Sequence, residues 1–482
     1  MAEPADGRGA DPVTDVGAAA ALAGLWRLAG LPDEALGEAD LPGDGPVLPS
    51  SFAVATAAQS SLAAAALAAA ELWQGRQGRR QRVCVPREAA AMECTGLFQI
   101  DGRTPPAWDP LSGLYRCGES AGQPGWVRLH ANFAHHRDGA LRLLGLPVGP
   151  TTPREAVADA LRHWTAEGFE TAAAEAAGVV AALRTRGHWL SHPQAAVVQA
   201  QPVVKWQRLG DAPPLAWAVG DAASPPLSGL RVLDFTRILA GPVCGRTLAA
   251  YGADVMLVNG PHLPNIDAIA DTSRGKLSAQ LDLRQADDAA RLTTLVQGAE
   301  VFLQAYRPGS LAARGWSAEQ LVALRPGLVV VSLSAYGSEG PWGGRRGFDS
   351  LVQTATGFNQ DEAEAAGSAE PRALPVQILD YAAGYLMAFG AQAALWRQAR
   401  EGGSWQVEVS LAGVGEWLRR LGRVPGGLAV PKPALMDRLL TEPSGFGPLA
   451  VLPHAARFSV SSLAKRRPAM PPGSHPPAWP PG

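Results

Sequence analysis

One carboxylate stands apart in the stretch PVQILDYAAGYLMAFGAQAALWRQAR, residues 375–400: Asp380 follows Ile378 and Leu379 and precedes a run of small and apolar residues. Two roles fit that setting. Placed just before a helix, an Asp side chain caps backbone N–H groups. Desolvated among apolar neighbours with few counter-charges, the same carboxylate gains in pKa and in reactivity and serves as a nucleophile. The two roles can coexist at one residue.

Basic residues beside glycine offer a second kind of chemistry. SRGKLS (273–278) and AYRPGS (305–310) place Arg274, Gly275, Lys276, Arg307, Pro308 and Gly309 in loops, where charged hydrogen bonds suit phosphate oxygens. Solvation at the surface is the commoner fate of such charges. LAGP (239–242) sets small residues and a proline after a strand, which fits close backbone approach to a ligand and equally a plain turn that opens a helix. His130, His135 and His136 in HANFAHH invite a metal assignment. On a strand running into a helix their side chains diverge, and no acidic or Cys partner sits at ligand spacing, so no metal is expected. No G-x-S-x-G occurs, which argues against a Ser-His-Asp hydrolase.

Residues 226–340 supply the frame for these loops. LRVLDF, ADVMLVN, LSAQLDL, EVFLQAY and GLVVVSLSAYG are short apolar strands separated by helical stretches such as PVCGRTLAAYG and DDAARLTTLVQG. That alternation predicts an α/β fold, a Rossmann-like mainly parallel sheet with flanking helices. Nicotinamide binding is not expected, because TRILAGP rather than G-x-G-x-x-G follows the first strand. Ligands of open α/β sheets still gather at the carboxyl ends of strands, where TRILAGP, AYRPGS and SAYGSEGPWGGRRG fall. Upstream, residues 124–146 and 158–187 read as a strand and amphipathic helices, a smaller α-rich second domain.

The chain has 482 residues, enough for two or three domains. Its 42 basic and 44 acidic residues leave a net charge of -2, with no broad field for nucleic acid or an acidic membrane. Four widely spaced cysteines without C-x-x-C argue against a zinc ribbon or a secreted disulfide framework and suit a cytoplasmic setting. MAEPADGRGADPVTD at the start lacks the regions of a signal peptide and reads as a loose tail. The Ala-rich segment 52–73 includes Gln59, Ser60 and Ser61 and lacks bulky residues, so a buried helix is expected there rather than a membrane span. KRRPAMPPGSHPPAWPPG at the end is too rich in Pro for helix or interior strand, and is expected to be an arm or a disordered tail.

The Ala-rich helix is similar to the one bearing Asp380. Shifted by 323 residues, Ala65, Ala68, Ala70, Leu72 and Trp73 meet Ala388, Ala391, Ala393, Leu395 and Trp396; one residue further, Val83 and Val85 meet Val407 and Val409. Both stretches read as long helix, Gly/Arg-rich turn and strand, which suggests an internal duplication. Ala57 then stands where the later copy has Asp380, so the helix forms without a capping carboxylate and chemistry explains the Asp better.

Taken in order, LSGLRVLDFTRILAGPVCGRTLAAYGADVMLVN, RGKLSAQLDL, AYRPGSLAARGWSAEQLVALRPGLVVVSLSAYGSEGP, RGFDSLVQTATG and LPVQILDYAAGYLMAFGAQAALW resemble the family III CoA-transferases of the CaiB/BaiF type, over residues 228–420. The resemblance implies a Rossmann-like large domain, a smaller second domain and commonly an interlocked homodimer. It implies that Asp380 attacks an acyl-CoA thioester, giving a mixed anhydride and then an aspartyl-CoA thioester whose CoA passes to an acceptor carboxylate. Shelter from water suits such an anhydride. The implied CoA contacts fall on Arg237, Ala240 and Gly241, on Arg274, Gly275 and Lys276, on Arg307, Pro308 and Gly309, and on Arg346, Phe348 and Asp349. Leu257, Asn259, Ser273, Ala305 and Ala313 depart from the residues usual at their places. The racemase branch of the family has a His directly before the Asp of GFD; Phe348 stands there, which leaves a two-base proton transfer one base short.

Residues 52–95 resemble the family's segment around and after the nucleophile, 124–187 its small domain, SHPQ its return to the large domain, and EPSGFGPLAVLPHAARFS through PPGSHPPAW its ending. The expected organisation is a polar tail and lead-in (1–48), a degenerate partial copy (49–225) with its small domain at about 96–190, a Rossmann-like CoA-transferase domain (226–424) and a C-terminal extension with a Pro-rich tail (425–482). One chain then mimics a dimer, with pairing into a homodimer still open. The expected activity is acyl-CoA:carboxylate CoA transfer, with the CoA thioester as substrate and no permanently bound cofactor. A non-catalytic acyl-CoA-binding scaffold is the rival, and an acyl-CoA racemase a lesser one.

Overall fold

The computed structural model describes residues 14–215, 220–464 and 467–480. Seven strands build its main sheet: β1 (Val204–Gly210), β2 (Arg231–Phe235), β3 (Asp254–Asn259), β4 (Leu277–Gln280), β5 (Val301–Gln304), β6 (Val329–Ser334) and β7 (Ser404–Ser410). Their spatial order is β4-β3-β2-β5-β6-β7-β1, parallel throughout except for the antiparallel pair of β7 and β1. Helices cover both faces, which is why these strands are nearly continuous apolar runs; Val232, Leu233, Val255, Met256, Val301, Phe302, Val329 and Val331 are all buried. The strand order reverses between β2 and β5, so a crevice opens outside their carboxyl ends. The Rossmann-like α/β frame expected from the sequence is present.

Four helices matter for the site: α1 (Val54–Gln77), α2 (Ala240–Ala250), α3 (Asp349–Ala355) and α4 (Ile378–Glu401). The Ala-rich face of α1 packs closely on α4, where the Gln392 side-chain amide donates to the Ala65 carbonyl at 3.0 Å. Every residue of α1 from Val54 to Trp73 is buried, and no helix among the described residues is long and apolar enough to cross a membrane. Gln377 occupies the cap position of α4 with no side-chain capping bond. Asp380 therefore lies inside the first turn and does not cap it. Both long helices have 24 residues, and their ends coincide at a shift of 324 rather than 323. That register sets Thr56, not Ala57, level with Asp380.

The smaller unit has a three-stranded antiparallel sheet (Gly113–Cys117, Gly125–Leu129, Val180–Ala182) as its floor. Helices Ala134–Leu143, Arg154–Leu161 and Ala166–Glu175 close a separate core around Tyr115, Val127, Leu141, Leu161 and Phe169.

The N-terminal lead-in differs from expectation. Of the lead-in, residues 1–13 lie outside the described residues, but helix Ala18–Ala29 buries Leu22, Leu25 and Trp26, and Asp15 bridges Arg87 at 3.1 Å. Apolar residues at 18, 21, 22, 25, 26 and 29 form a helical stripe that the acidic first fifteen residues overshadow in composition. At the other end, Leu449–Val451 pairs with Phe98–Ile100, and Arg457–Phe458 pairs with Val83–Cys84. The described part of the Pro-rich tail is an arm along edge strand β4: the Ser278 N–H donates to His475 Nδ1 at 3.0 Å, and Trp479 Nε1 donates to the Leu295 carbonyl at 3.0 Å. Such cover protects a sheet edge. Tail residues 465–466 and 481–482 lie outside the described residues.

Candidate active site

Three loops meet outside β2, β5 and β6: TRILAGP, AYRPGS and the stretch 333–348. They line a cavity of about 340 Å³ that carries four arginines, Arg237, Arg307, Arg345 and Arg346, with Phe133 and His136 of the smaller unit on the facing wall. A second cavity, about 830 Å³, adjoins it. Ile238, Leu239, Phe348 and Asp380 line both, so Asp380 stands at the neck between two chambers. Ile238 holds a φ of 77°, in the left-handed region that a β-branched residue avoids. Such a backbone costs on the order of 1–3 kcal/mol and persists only where the surroundings fix it. The strain falls at the neck.

The carboxylate of Asp380 is half-buried and has no hydrogen-bond or ion-pair partner among the described residues, while its own N–H donates to Asp349 Oδ2 at 2.9 Å. Burial first, and then the neighbouring Asp349 charge, push Asp380 well above the usual carboxylate range. Asp349 is fully buried on α3 and is itself pushed up to about 6 by burial, against the N–H groups of Asp380 and Leu379 and the Gln353 amide at 2.5 Å. A buried carboxyl group thus backs a half-buried one, a setting that keeps the outer one protonated longer and makes its ionised form reactive.

The residues singled out from the sequence divide into two groups. Arg237, Ala240, Arg307, Pro308, Arg346, Phe348 and Asp380 converge on the smaller chamber. The Arg237 guanidinium donates to the Pro264 carbonyl, and Arg346 Nη1 donates to the Ala177 carbonyl at 2.8 Å. Gly309 lines an adjacent cavity of about 260 Å³ that Arg307 and Pro308 also border. The others stand behind the wall. Gly241 is buried against Thr236, where an added Cβ would lie 2.4 Å from the Thr236 Cβ. Lys276 is wholly buried, donating to Asp234 Oδ2 and to the Pro242 carbonyl, both at 2.8 Å. Burial pulls its ammonium down against the hold of Asp234. Arg274 pairs with Asp271 at 2.8 Å, with Gly275 in the same turn, and neither these two nor Lys276 lines either chamber. Lys276, through the Pro242 carbonyl, supports the TRILAGP turn from behind, while Arg274 is held by Asp271 and Gly275 lies against Ala249. Asp349 backs Asp380 rather than facing the cavity.

Sequence reasoning did not foresee which residues of the smaller unit face the site. His130 stacks face to face on Phe348, with ring centroids 3.9 Å apart and 11° between planes. Burial, then His136, pushes its imidazole down to about 3, so it is neutral. Arg128, buried on the strand that ends just before His130, is held down to about 10 by burial and drawn by Asp349. HANFAHH was visible as a histidine cluster, but no local spacing announces a stack on a residue so far downstream. Among the described residues, no group of three or more His, Cys, Asp or Glu side chains is arranged to hold a metal.

Comparison with known proteins bears on the same stretch. Residues 227–420 match the profile of CoA-transferase family III. A probable fatty acyl-CoA transferase of Mycobacterium tuberculosis is 32% identical over 229 residues, 43% of this chain and 58% of that protein. The succinate–glutarate CoA-transferase of Agrobacterium fabrum is 32% identical over 209 residues, covering 39% and 52%. A crystal structure of the M. tuberculosis protein is similar at 34% identity with a TM-score of 0.39, over 41% of this chain and 56% of that one. The chain spans little more than half the length of these relatives.

Proposed function

We propose, from the match of residues 227–420 to CoA-transferase family III, that this chain moves CoA from an acyl-CoA thioester to a carboxylic acid, with Asp380 as nucleophile. The observation that carries the reading is an unpartnered carboxylate at the neck between an arginine-rich chamber and a larger one. Asp380 attacks the thioester carbonyl, the C–S bond breaks, and CoA thiolate leaves with the electron pair. The thiolate then attacks the Asp380 carbonyl carbon of the anhydride, giving an aspartyl-CoA thioester and freeing the donor acid. The acceptor carboxylate repeats the attack, and thiolate closes the cycle on the acceptor's carbonyl carbon while Asp380 is released as carboxylate. Arg237, Arg307, Arg345 and Arg346 suit the phosphates and polar stem of CoA. Wild-type protein incubated with acyl-CoA should be trapped by hydroxylamine at Asp380, and exchange of labelled CoA should fall to background in Asp380→Ala. Exchange unaffected by that change would sink the mechanism, and binding without exchange would leave a scaffold.

Proton transfer at the acyl α-carbon fits less well. His130 comes next to Phe348, but an imidazole pushed down to about 3 is a poor base. The N-terminal part is read as a remnant copy that stands in for a partner subunit, a reading supported by the equal lengths and side-by-side packing of α1 and α4.

A further inference from the structure

Resting on the CoA-transfer reading, we propose that the 830 Å³ chamber beyond Asp380 is an acyl site for a large apolar acyl group, of roughly eight carbons or more. Charge is segregated across the neck. All four arginines line the smaller chamber, and no arginine lines the larger one. Leu97, Trp108, Ile266, Val376 and Leu435 supply much of its wall, and Trp108 remains 39% exposed. Of the charged groups beyond Asp380, Asp109 is engaged by Arg137 at 3.6 Å, while Asp267 and Lys432 stand at the solvent-exposed rim. A thioester carbonyl held at Asp380 with its CoA toward the arginines therefore directs the acyl chain into the apolar space. A formyl or acetyl group leaves that wall wet. Each methylene fully buried there contributes about fourfold in affinity, so burial of about two is enough for a tenfold preference.

Calorimetry with the full chain compares acetyl-CoA and decanoyl-CoA as ligands, and an exchange assay compares them as donors. Leu97→Trp and Leu435→Trp narrow the chamber at two half-buried positions, where a bulkier side chain does not repack the core. Decanoyl-CoA is expected to bind about tenfold or more tighter than acetyl-CoA, and each variant to cut that ratio at least about threefold. A ratio near one, or a ratio that both variants leave intact, overturns the proposal. Its failure is distinct from failure of the transfer reading. Tight decanoyl-CoA binding without exchange from any donor keeps the chamber and discards transfer, whereas exchange confined to short acyl groups keeps transfer and discards the chamber.

Discussion

Asp380 and Asp349 bind their protons more tightly in the folded protein than in the unfolded chain, and this has consequences for rate and for stability. Burial leads and the paired charge follows as the cause at Asp380. Asp349→Asn keeps an oxygen to accept the Asp380 N–H but removes the neighbouring charge, so the acid limb of the rate–pH profile should move to lower pH. A profile that does not move would assign the perturbation to burial alone. Stability has the opposite sign to that of an ion-paired carboxylate. Above the unfolded value near 4 and up through the folded one, about 6 for Asp349, the native state holds more protons, so stability falls as pH rises. Asp380→Asn should therefore raise Tm more at pH 8 than at pH 4.5, read in paired thermal scans. An equal gain at both would mean that no like-charge pair had been relieved.

At the scale of elements, the position of Asp380 depends on how closely α4 crosses α2. Gly384, one turn beyond Asp380, meets α2 where an added Cβ would lie 2.5 Å from the Ala240 carbonyl oxygen and 2.8 Å from the Val243 Cβ. Gly384→Ala must push the two helices apart, at a cost of about 1–3 kcal/mol, and it moves Asp380 away from the TRILAGP turn. Urea melts and CoA exchange should both register the change; if neither does, the crossing is slack. The strands that build this arrangement were legible because sheets covered on both faces need unbroken apolar runs, and the convergence of the three loops followed from the reversal of strand order. The fate of Lys276 was not legible. A lysine beside glycine looks like a phosphate ligand until its partner Asp234, 42 residues upstream, is brought against it in the core. The start of α4 was misplaced for a similar reason: Asp after Ile-Leu reads as a cap, and only the Asp349 acceptor beneath the Asp380 N–H shows that the helix already includes it.

Across the whole molecule, one buried ion cluster joins segments that lie far apart in sequence. Arg246 of α2 pairs with Asp271 and, at 3.2 Å, with Glu93 of the N-terminal helix Arg87–Glu93. His454 Nδ1 of the C-terminal extension lies 2.9 Å from Glu93 Oε1, and the Ala455 N–H donates to Glu93 Oε2 at 2.9 Å. Burial alone would raise the Glu93 pKa, but His454 and Arg246 hold it down to about 2. Stability from this group is thus full above the unfolded value near 4 and is lost as pH falls toward about 2. Arg246→Met leaves Glu93 buried without its guanidinium and should cost about 3–5 kcal/mol in urea denaturation. Adding Glu93→Gln removes the carboxylate charge that His454 alone is then left to balance, while Asp271 keeps Arg274 at 2.8 Å, so the double variant should be more stable than the single one. Because Arg246 sits on the helix that begins at Ala240 in the site wall, the single variant should lose CoA exchange as well, and the double should recover part of it. Equal stability of single and double variants would mean that apolar packing of α1 against α4, not this cluster, couples the N-terminal part to the site.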